Sequence, residues 1–546
     1  MKLKKNSFLQ GAFIATFGIV LCKILGILYV IPFYAIIGEQ GGALYGYAYN
    51  IYSIFLGISS AGLPLAMSKI ISEYNTLGYY EAKEKAFKIG KKVLSIVGIL
   101  CFLLLFIFAD KIGYLIIGDI TGGNTRADVA FVIRMISTAI LIIPLLSVYR
   151  GYFQGHKYIT PTSISQIIEQ IIRVTLIVVV TYLMYKVFNL SLKVTVAFAV
   201  FTATISGFAS WLYLFLKMKK NKEQFLKDDV KTKEPSISEK EILKKIIYYA
   251  VPFIMIDLFR SLYNSVDIMM LVKTLVNKFG YDIQTAEGIM SVISTWGLKI
   301  NMIIISVVTG VMTSLIPNLT SSFVKNDMEE VNNKINKTYQ IVLCLAVPMT
   351  VGLSLLAKPV WTIFYGNSIY GPQTYQYLVF VALTTTIFTS TVTITQVMKE
   401  YKTVFISLIV GMITKIILNP VLLLTFHKIG LPTFYGSITA TILGFVISSI
   451  ICLAVIRKKY NLSYKKTVKE AGIIIFATII MACVLSLLKL IIPITTTNRF
   501  GAIGIVCIYA LVGASIYFFI TLKTKTLTNI FGNSMFDKIR KKLRLK

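Results

Sequence analysis

The sequence is poor in acidic residues and in the residue types that build metal and redox sites. Only 24 of its 546 residues are Asp or Glu, against 56 Lys or Arg, and it has two histidines, His156 and His427. Its six cysteines all lie inside apolar runs without CxxC or Cys/His spacing, which is typical of small buried hydrophobic residues. We therefore expect neither a metal site nor a disulfide framework.

The motifs of common membrane enzymes and pumps are also missing. The sequence has no G-x-x-x-x-G-K-[ST], so it lacks a P-loop ATPase site of its own. It has no HExxH, no GxSxG and no DxD-like acidic cluster in a long loop. A membrane-embedded glycan enzyme would need catalytic carboxylates or a large extramembrane domain. These absences argue against an enzyme, and we expect no cofactor, with a coupling ion left open.

Hydrophobic residues dominate the composition. They make up 56% of the chain and charged residues only 15%, too few for the surface of a soluble protein of this length. The net charge of +32 would suggest nucleic acid as the partner of a soluble protein. In a membrane protein the enrichment of Lys and Arg in cytoplasmic loops explains it better. The sequence thus predicts an all-α, polytopic membrane protein that binds membrane lipids and no nucleic acid.

Apolar runs long enough to cross a bilayer recur along the whole chain. They predict about fourteen transmembrane helices near residues 8–37, 46–72, 91–117, 128–150, 161–187, 192–217, 243–275, 290–322, 336–357, 372–396, 401–425, 432–457, 467–492 and 498–521.

Basic clusters fall in alternate loops, which predicts one orientation in the plasma membrane. The other loops are poor in charge or mixed, so both termini are expected in the cytoplasm. The clusters are the N-terminus, Lys83 to Lys92, Arg150 to Lys157, Lys217 to Lys245, Lys325 to Lys337, Lys399 to Lys402, Arg457 to Lys469 and the tail KIRKKLRLK.

The two halves of the chain resemble each other. Pro64 and Pro317 hold corresponding places after the second and eighth spans, and Gln154 aligns with Gln396. Six spans separate each pair, so the halves keep one orientation and form two pseudo-symmetric six-helix lobes. The predicted parts are an N-terminal lobe (1–217), a cytoplasmic linker (218–242), a C-terminal lobe (243–460), helices 13 and 14 (461–521) and a basic cytoplasmic tail (522–546).

The first apolar run contains a full charge, Lys23, near its middle. A lysine at the centre of a membrane helix costs roughly 2.5–3.5 kcal/mol, so it needs a watery cavity, an anionic partner or an anionic ligand. Gly26 leaves the helix face next to it bare, and Pro32 frees a backbone carbonyl. This combination predicts a helix that lines a cavity.

Polar residues of other spans complete a candidate binding site. Arg260, Asn264 and Asp267 follow one another as a stripe along the seventh span, with Asp257 as a possible ion-pair partner of Arg260. In a two-lobed transporter spans one and two face spans seven and eight, so Lys23, Arg260 and Lys299 are expected to converge on one cationic cavity. The predicted substrate-binding residues are Lys23, Asn50, Arg260, Asn264, Asp267 and Lys299. Such a cavity suits a phosphate-bearing anion.

The other intramembrane charges have structural explanations. Glu169 and Arg173 are four residues apart on one helix and are expected to neutralise each other. Arg134 and Lys415 are interpreted as side chains that reach out to the membrane surface. The segment YRGYFQGHK is predicted to form a turn after the fourth span, whose gating or turn residues are Arg150, Gly151, Gln154 and Gly155. There Arg150 would bind lipid phosphate or helix carbonyls, with a purely structural turn as the alternative.

Several of these segments resemble one known group. CKILGILYVIPFYAIIG, the AGLP turn, YRGYFQG and the arrangement of six, six and two spans resemble the multidrug/oligosaccharidyl-lipid/polysaccharide (MOP) exporter superfamily. Within it the chain is similar to the polysaccharide biosynthesis branch, which includes stage V sporulation protein B-like proteins and MurJ-type lipid II flippases. The resemblance covers nearly the whole chain.

The resemblance implies a flippase that works by alternating access. Its substrate would be an undecaprenyl-pyrophosphate-linked sugar precursor for peptidoglycan, most simply lipid II, with cell-wall synthesis enzymes as partners. It places Lys23 and Lys299 at basic positions of the family's cavity, whereas Tyr29 stands where a second basic residue is expected. Arg260 is the candidate to compensate. The alternatives are a flippase for another lipid-linked polysaccharide or sporulation glycan, and a cation-coupled multidrug exporter, which would want an acidic cavity.

Overall fold

The protein is helical throughout the part of the chain that the structure describes. The computed structural model describes residues 8–60, 63–118, 122–226, 237–494 and 498–531. No β-strand occurs in these ranges, which confirms the predicted all-α class. The chain divides into two compact units, Met1–Met290 and Ser291–Lys546.

Helices of very different lengths build the first unit. A 3-10 segment, Thr138–Leu141, joins α6 to α7, and a π-helical turn, Leu183–Val187, extends α8. The described α-helices are α1 (Phe8–Leu28), α2 (Val30–Ser60), α3 (Leu63–Leu77), α4 (Tyr80–Ile107), α5 (Ala109–Ile117), α6 (Arg126–Ser137), α7 (Ile143–Gly155), α8 (Ile159–Tyr182), α9 (Leu192–Lys220), α10 (Lys222–Leu226), α11 (Glu239–Phe279) and α12 (Ile283–Ser291).

Long helices dominate the second unit, which opens with a π-helical turn, Val292–Trp296. Its described α-helices are α13 (Gly297–Val324), α14 (Met328–Leu355), α15 (Ala357–Tyr365), α16 (Tyr370–Val397), α17 (Tyr401–Lys428), α18 (Tyr435–Tyr460), α19 (Lys465–Ile491), α20 (Arg499–Lys523) and α21 (Thr526–Phe531).

The described helices confirm a polytopic membrane protein. Eleven spans are long and apolar enough to cross a bilayer, and twelve if α1 and α2, which meet at a bend of 45°, form one span. The predicted seventh span lies in α11, a helix of 41 residues that carries Asp257, Arg260 and Asp267. The count of fourteen spans stays a prediction.

The predicted first span is broken rather than continuous. Helix α1 ends at Leu28, and α2 begins at Val30 and contains a non-helical Gly38 with φ 64°. Pro32, in the first turn of α2, has no N–H to donate to the carbonyl four residues earlier, that of Leu28, so the helix is interrupted there. Lys23 therefore lies near the end of a helical segment, a place where transporters often arrange polar groups.

Two glycines of α7 allow α3 to pack closely against it. A Cβ on Gly151 would lie 2.6 Å from Met67 Cβ and 2.7 Å from the Pro64 carbonyl oxygen. A Cβ on Gly155 would lie 2.6 Å from Ile71 Cβ. Both glycines are helical, so the prediction that they form the turn itself was wrong. Their spacing of four places them on one face, where small residues let helices approach.

We expect Gly151→Ala to destabilise the protein, since its new Cβ would overlap the α3 backbone. Overpacking of this kind costs about 1–3 kcal/mol. The measurement is thermal unfolding of the purified chain in detergent. The matched control is Gly207→Ala in α9, where the new Cβ would meet its nearest atom, Ile143 Cγ1, at an ordinary 3.5 Å. Equal melting temperatures for the two variants would contradict this account of α3–α7 packing.

Two turns with the same backbone geometry support the predicted internal repeat. After α7, Lys157 adopts φ 64° and its N–H donates to the Gln154 carbonyl at 2.9 Å. After α16, Lys399 adopts φ 62° and its N–H donates to the Gln396 carbonyl, also at 2.9 Å. The sequence alignment of Gln154, which is half-buried, with Gln396 thus coincides with equivalent helix ends.

Serine hydroxyls join the next helix pair in each unit. Ser210 in α9 donates to the Ser165 carbonyl in α8 at 2.8 Å. Ser448 in α18 donates to the Ser407 carbonyl in α17 at 2.8 Å. These contacts again support the repeat, while the predicted boundaries of the lobes, linker and tail stay predictions.

Candidate functional site

Helix α1, which carries Lys23, packs against α8 through small residues. A Cβ on Gly18 would lie 3.3 Å from Ser163 Cβ, and one on Gly26 would lie 3.2 Å from Gln170 Nε2. Among the described residues, the Gln170 amide nitrogen is the one atom within 4 Å of that position, so the face at Gly26 is covered only by the end of a flexible side chain. Lys23 is half-buried and lies along α1 between these two contacts.

Arg150 connects three helices of the first unit. From α7, its Nη2 lies 2.8 Å from Glu169 Oε2 of α8. Its Nε donates to Ser165 Oγ at 3.0 Å, and its Nη2 also donates to Ser210 Oγ of α9 at 3.1 Å. The Arg150 and Glu169 side chains are only 14% and 15% exposed. The predicted turn residue is thus part of a largely buried polar network.

Glu169 is shared between two arginines. Its Oε1 lies 3.9 Å from Arg173 Nη1, which confirms the predicted pair, but its closer partner is Arg150. Arg173 also donates from Nη2 to Gln170 Oε1. Two guanidinium groups around one carboxylate leave one net positive charge among these three residues. The expected neutralisation is therefore incomplete.

Three tyrosines, one between α1 and α2 and two in α2, lie near Arg173. Tyr29, Tyr45 and Tyr49 all lie close enough to the guanidinium to interact with it electrostatically. The Tyr29 and Tyr45 hydroxyls are 3.4 Å apart, and the Tyr45 and Tyr49 rings stack with centroids 5.4 Å apart. Arg173 thus supplies a positive charge next to Tyr29, the position where the family resemblance suggests a basic residue.

We call Arg150, Glu169, Arg173 and these three tyrosines the arginine–tyrosine cluster. Its net positive charge and its phenol groups suit a phosphate-bearing ligand with hydroxyl groups. Arg173 was not among the predicted site residues, because an ion pair with Glu169, four residues earlier, explained its charge. Only the packing of α7 against α8 brings in the competing Arg150.

The other predicted site residues of the first unit lie in α2 and α11. Asn50 is buried and donates from Nδ2 to the Gly46 carbonyl of its own helix at 2.8 Å. In α11 Asn264 is half-buried and Asp267 is buried. The Arg260 side chain lies outside the described residues.

Lys299 belongs to α13 of the second unit, where it is half-buried. Its neighbour Asn301 is fully buried and donates from Nδ2 to the Leu378 carbonyl of α16 at 3.2 Å. The convergence of Lys299 with Lys23 and Arg260 stays a prediction.

Lys415 does not reach out to the membrane surface, so that interpretation was wrong. It is fully buried, with 0% exposure, and lies at the middle of the 28-residue helix α17. At a rise of 1.5 Å per residue either helix end is roughly 20 Å away, beyond the reach of a lysine side chain. Arg134 is about one-third exposed and forms an ion pair with Asp110.

A buried carboxylate, Glu287, was missed because it follows a charged loop. It is 1% exposed in α12 and accepts hydrogen bonds from the Tyr47 hydroxyl at 3.3 Å and from Asn124 Nδ2 at 2.9 Å. The Asn124 backbone N–H also donates to it, at 3.2 Å. Glu287 therefore links α12 to α2 and to the segment that precedes α6.

The fold of this chain is similar to that of membrane transporters of known structure. The structure of the lipid II flippase MurJ in an inward closed conformation is similar, with a TM-score of 0.63 and 18% identity over 94% of this chain and 99% of that one. An inward-facing multidrug resistance MATE transporter of the MOP superfamily has a TM-score of 0.65 and 14% identity over 80% and 94% of the two chains.

The chain belongs to the polysaccharide biosynthesis protein family, whose sequence profile matches residues 8–318. The lipid II flippase MurJ of Bacillus subtilis (strain 168) is 32% identical over 539 residues, 97% of this chain and 98% of that protein. Stage V sporulation protein B of the same organism is 26% identical over 222 residues, 40% of each chain. These findings confirm the resemblance inferred from the sequence.

Proposed function

We propose that this protein is a flippase that carries lipid II, an undecaprenyl-pyrophosphate-linked sugar precursor, from the inner to the outer leaflet of the cell membrane. The observation that carries the proposal is the 32% identity to the lipid II flippase MurJ over 97% of the chain. A similarity that extends over the full length includes both compact units, and thus all parts that an alternating-access transporter needs.

The charge of the arginine–tyrosine cluster agrees with an anionic substrate. Two guanidinium groups share one carboxylate, and Lys23 adds a further positive charge on the neighbouring helix α1. Arginine binds phosphate oxygens in a bidentate manner, while lysine acts as a point charge. In the proposed mechanism these groups attract the pyrophosphate, and polar residues of the cavity contact the sugars.

The same charge disfavours a cation-coupled drug exporter, which would attract its cationic substrate with an acidic cavity. We propose that the membrane potential or an ion gradient drives transport. A potential contributes about 2.3 kcal/mol per charge per 100 mV. Both termini would lie in the cytoplasm, and cell-wall synthesis enzymes would use the product; neither a cofactor nor a nucleic acid enters the proposal.

Complementation tests the proposed function. The lipid II flippases of a Gram-positive host are depleted while this chain is expressed, and its membrane level is followed with an epitope tag. We expect growth and peptidoglycan synthesis to be restored, whereas an unrelated membrane protein at the same level restores neither. Absence of rescue at a normal membrane level would contradict lipid II as the substrate and favour another lipid-linked glycan.

A further inference from the structure

A cavity in the second unit lies at the far ends of several membrane helices. It has a volume of about 500 Å³ and is formed where α14 ends, α15 and α16 begin and α19 ends. The described side chains that line it include two charged ones, Lys358 and Lys489, and both are basic. The cavity is therefore electropositive.

Four helix ends of both polarities border the cavity, so its positive charge comes from the two lysines. Lys358 is the second residue of α15, and the cavity also includes Pro372 and Gln373 of the first turn of α16. The N-terminal ends of α15 and α16 therefore lie beside the same space as the C-terminal ends of α14 and α19, so the partial charges of the helix ends oppose one another there. Ser368 fixes the start of α16, because its hydroxyl accepts a hydrogen bond from the Gly371 N–H at 3.0 Å.

Polar groups without charge complete the lining. Gln373 and Gln376 both line the cavity, and the Gln376 carbonyl accepts a hydrogen bond from the Ser354 hydroxyl at 2.8 Å. This bond ties the end of α14 to α16, so the cavity wall is built from packed helices. Two lysines and the amide donors of two glutamines form a site for an anion rather than for a cation.

Exposed apolar residues lie at the cavity, which Ile369 and Ile494 line, and in the residues of α19 next to it; together they are called the apolar rim. Ile369 is 86% exposed, and Leu490 and Ile491, which follow Lys489 at the end of α19, are 81% and 78% exposed. Side chains of this kind at the end of a membrane helix face lipid chains. A ligand that fits both parts of the site has an anionic head and a hydrocarbon tail.

We propose that this cavity binds the phosphate group of a membrane lipid, as a site separate from the arginine–tyrosine cluster. A free phosphate would use the lysines but not the apolar rim. The lipid has two possible sources: a phospholipid of the bilayer, or a polyprenyl pyrophosphate from transport.

The direction of the helices that end at the cavity indicates the leaflet in which the cavity lies. Helix α14 starts next to the basic cluster Lys325 to Lys337, and α19 starts within the cluster Arg457 to Lys469. Their lengths of 28 and 27 residues correspond to roughly 40 Å, enough to cross the bilayer. The cavity lies at their opposite ends. Its assignment to the outer leaflet rests on the proposed orientation of the chain, whereas its affinity for lipid phosphate does not.

Native mass spectrometry of the purified full-length protein tests the proposal. The protein is titrated separately with phosphatidylglycerol, with undecaprenyl pyrophosphate, with phosphatidylcholine and with inorganic pyrophosphate. We compare wild type with Lys358→Ala/Lys489→Ala. The control is Lys465→Ala/Lys469→Ala, which removes the same charge at the other end of α19.

We expect one anionic lipid per protein to be bound about thirtyfold more weakly by the cavity variant at low salt, because each basic residue near an anionic lipid contributes roughly a fivefold factor. The control variant should lose little affinity for the anionic lipids. If the cavity variant loses more affinity for phosphatidylglycerol than for undecaprenyl pyrophosphate, the cavity is a phospholipid site. If it loses more affinity for undecaprenyl pyrophosphate, the cavity is a site for the transported lipid. Equal affinities in wild type and cavity variant, or equal binding of inorganic pyrophosphate and lipids, would overturn the proposal. Since this is a binding measurement, its outcome is independent of complementation.

Discussion

Replacing Lys23 by alanine is expected to abolish rescue of flippase-depleted cells while the protein still inserts into the membrane. Lys23 is half-buried in α1, five residues before the break after Leu28, and α1 packs against the helix that carries Arg173. Removal of its charge takes away electrostatic attraction for a pyrophosphate. Membrane insertion should improve slightly, because a lysine within a span is costly.

The test compares growth of depleted cells at equal membrane levels of each variant. Lys23→Arg keeps the positive charge and should retain part of the activity. Lys278→Ala removes an exposed lysine at the end of α11 and should rescue like wild type. If Lys23→Ala also rescues like wild type, Lys23 has no part in substrate binding.

Replacing Arg150 by alanine is expected to produce the largest loss of stability among single substitutions in the arginine–tyrosine cluster. The change removes hydrogen bonds to Glu169, Ser165 and Ser210 and leaves the carboxylate in a largely buried position with only the more distant Arg173. Breaking a buried ion pair by removing one partner typically costs about 3–5 kcal/mol. The melting temperature in detergent measures this loss.

Two comparisons separate the buried pair from charge loss in general. Arg134→Ala breaks the half-exposed pair with Asp110 and should cost less than about 1 kcal/mol. The double replacement Arg150→Met/Glu169→Leu removes both charges and should recover much of the stability, since apolar residues often replace a buried pair without penalty. An unchanged melting temperature for Arg150→Ala would refute the role of this network.

Much of the architecture could be predicted because the membrane imposes it on the sequence. Apolar runs must be helical in lipid, where no water satisfies the backbone, so the all-α class followed from composition and run length. The alignment of Gln154 with Gln396 also predicted a real correspondence, since both residues accept the same backbone hydrogen bond at equivalent helix ends. Such features depend on neighbours along the chain.

Which residues make up the candidate site could not be predicted in the same way, because it depends on how the helices pack. From the sequence, Glu169 and Arg173 form a satisfied pair, and Lys415 looks able to reach the membrane surface. In the structure Arg150 competes for Glu169, and Lys415 is fully enclosed. Spacing on one helix shows which residues share a face, but it does not show which helix covers that face.

The sequence by itself determined that this is a helical, multi-spanning membrane protein of the polysaccharide biosynthesis family with an excess of positive charge. Hydropathy and charge determine whether a segment lies in lipid or in water, and both follow from the identity of each residue. Only the tertiary structure showed that Arg150, Glu169 and Arg173 together keep a net positive charge beside the tyrosines. It also showed that Gly151 and Gly155 allow α3 and α7 to pack closely. These properties arise from distances between helices far apart in the chain, which local patterns do not encode.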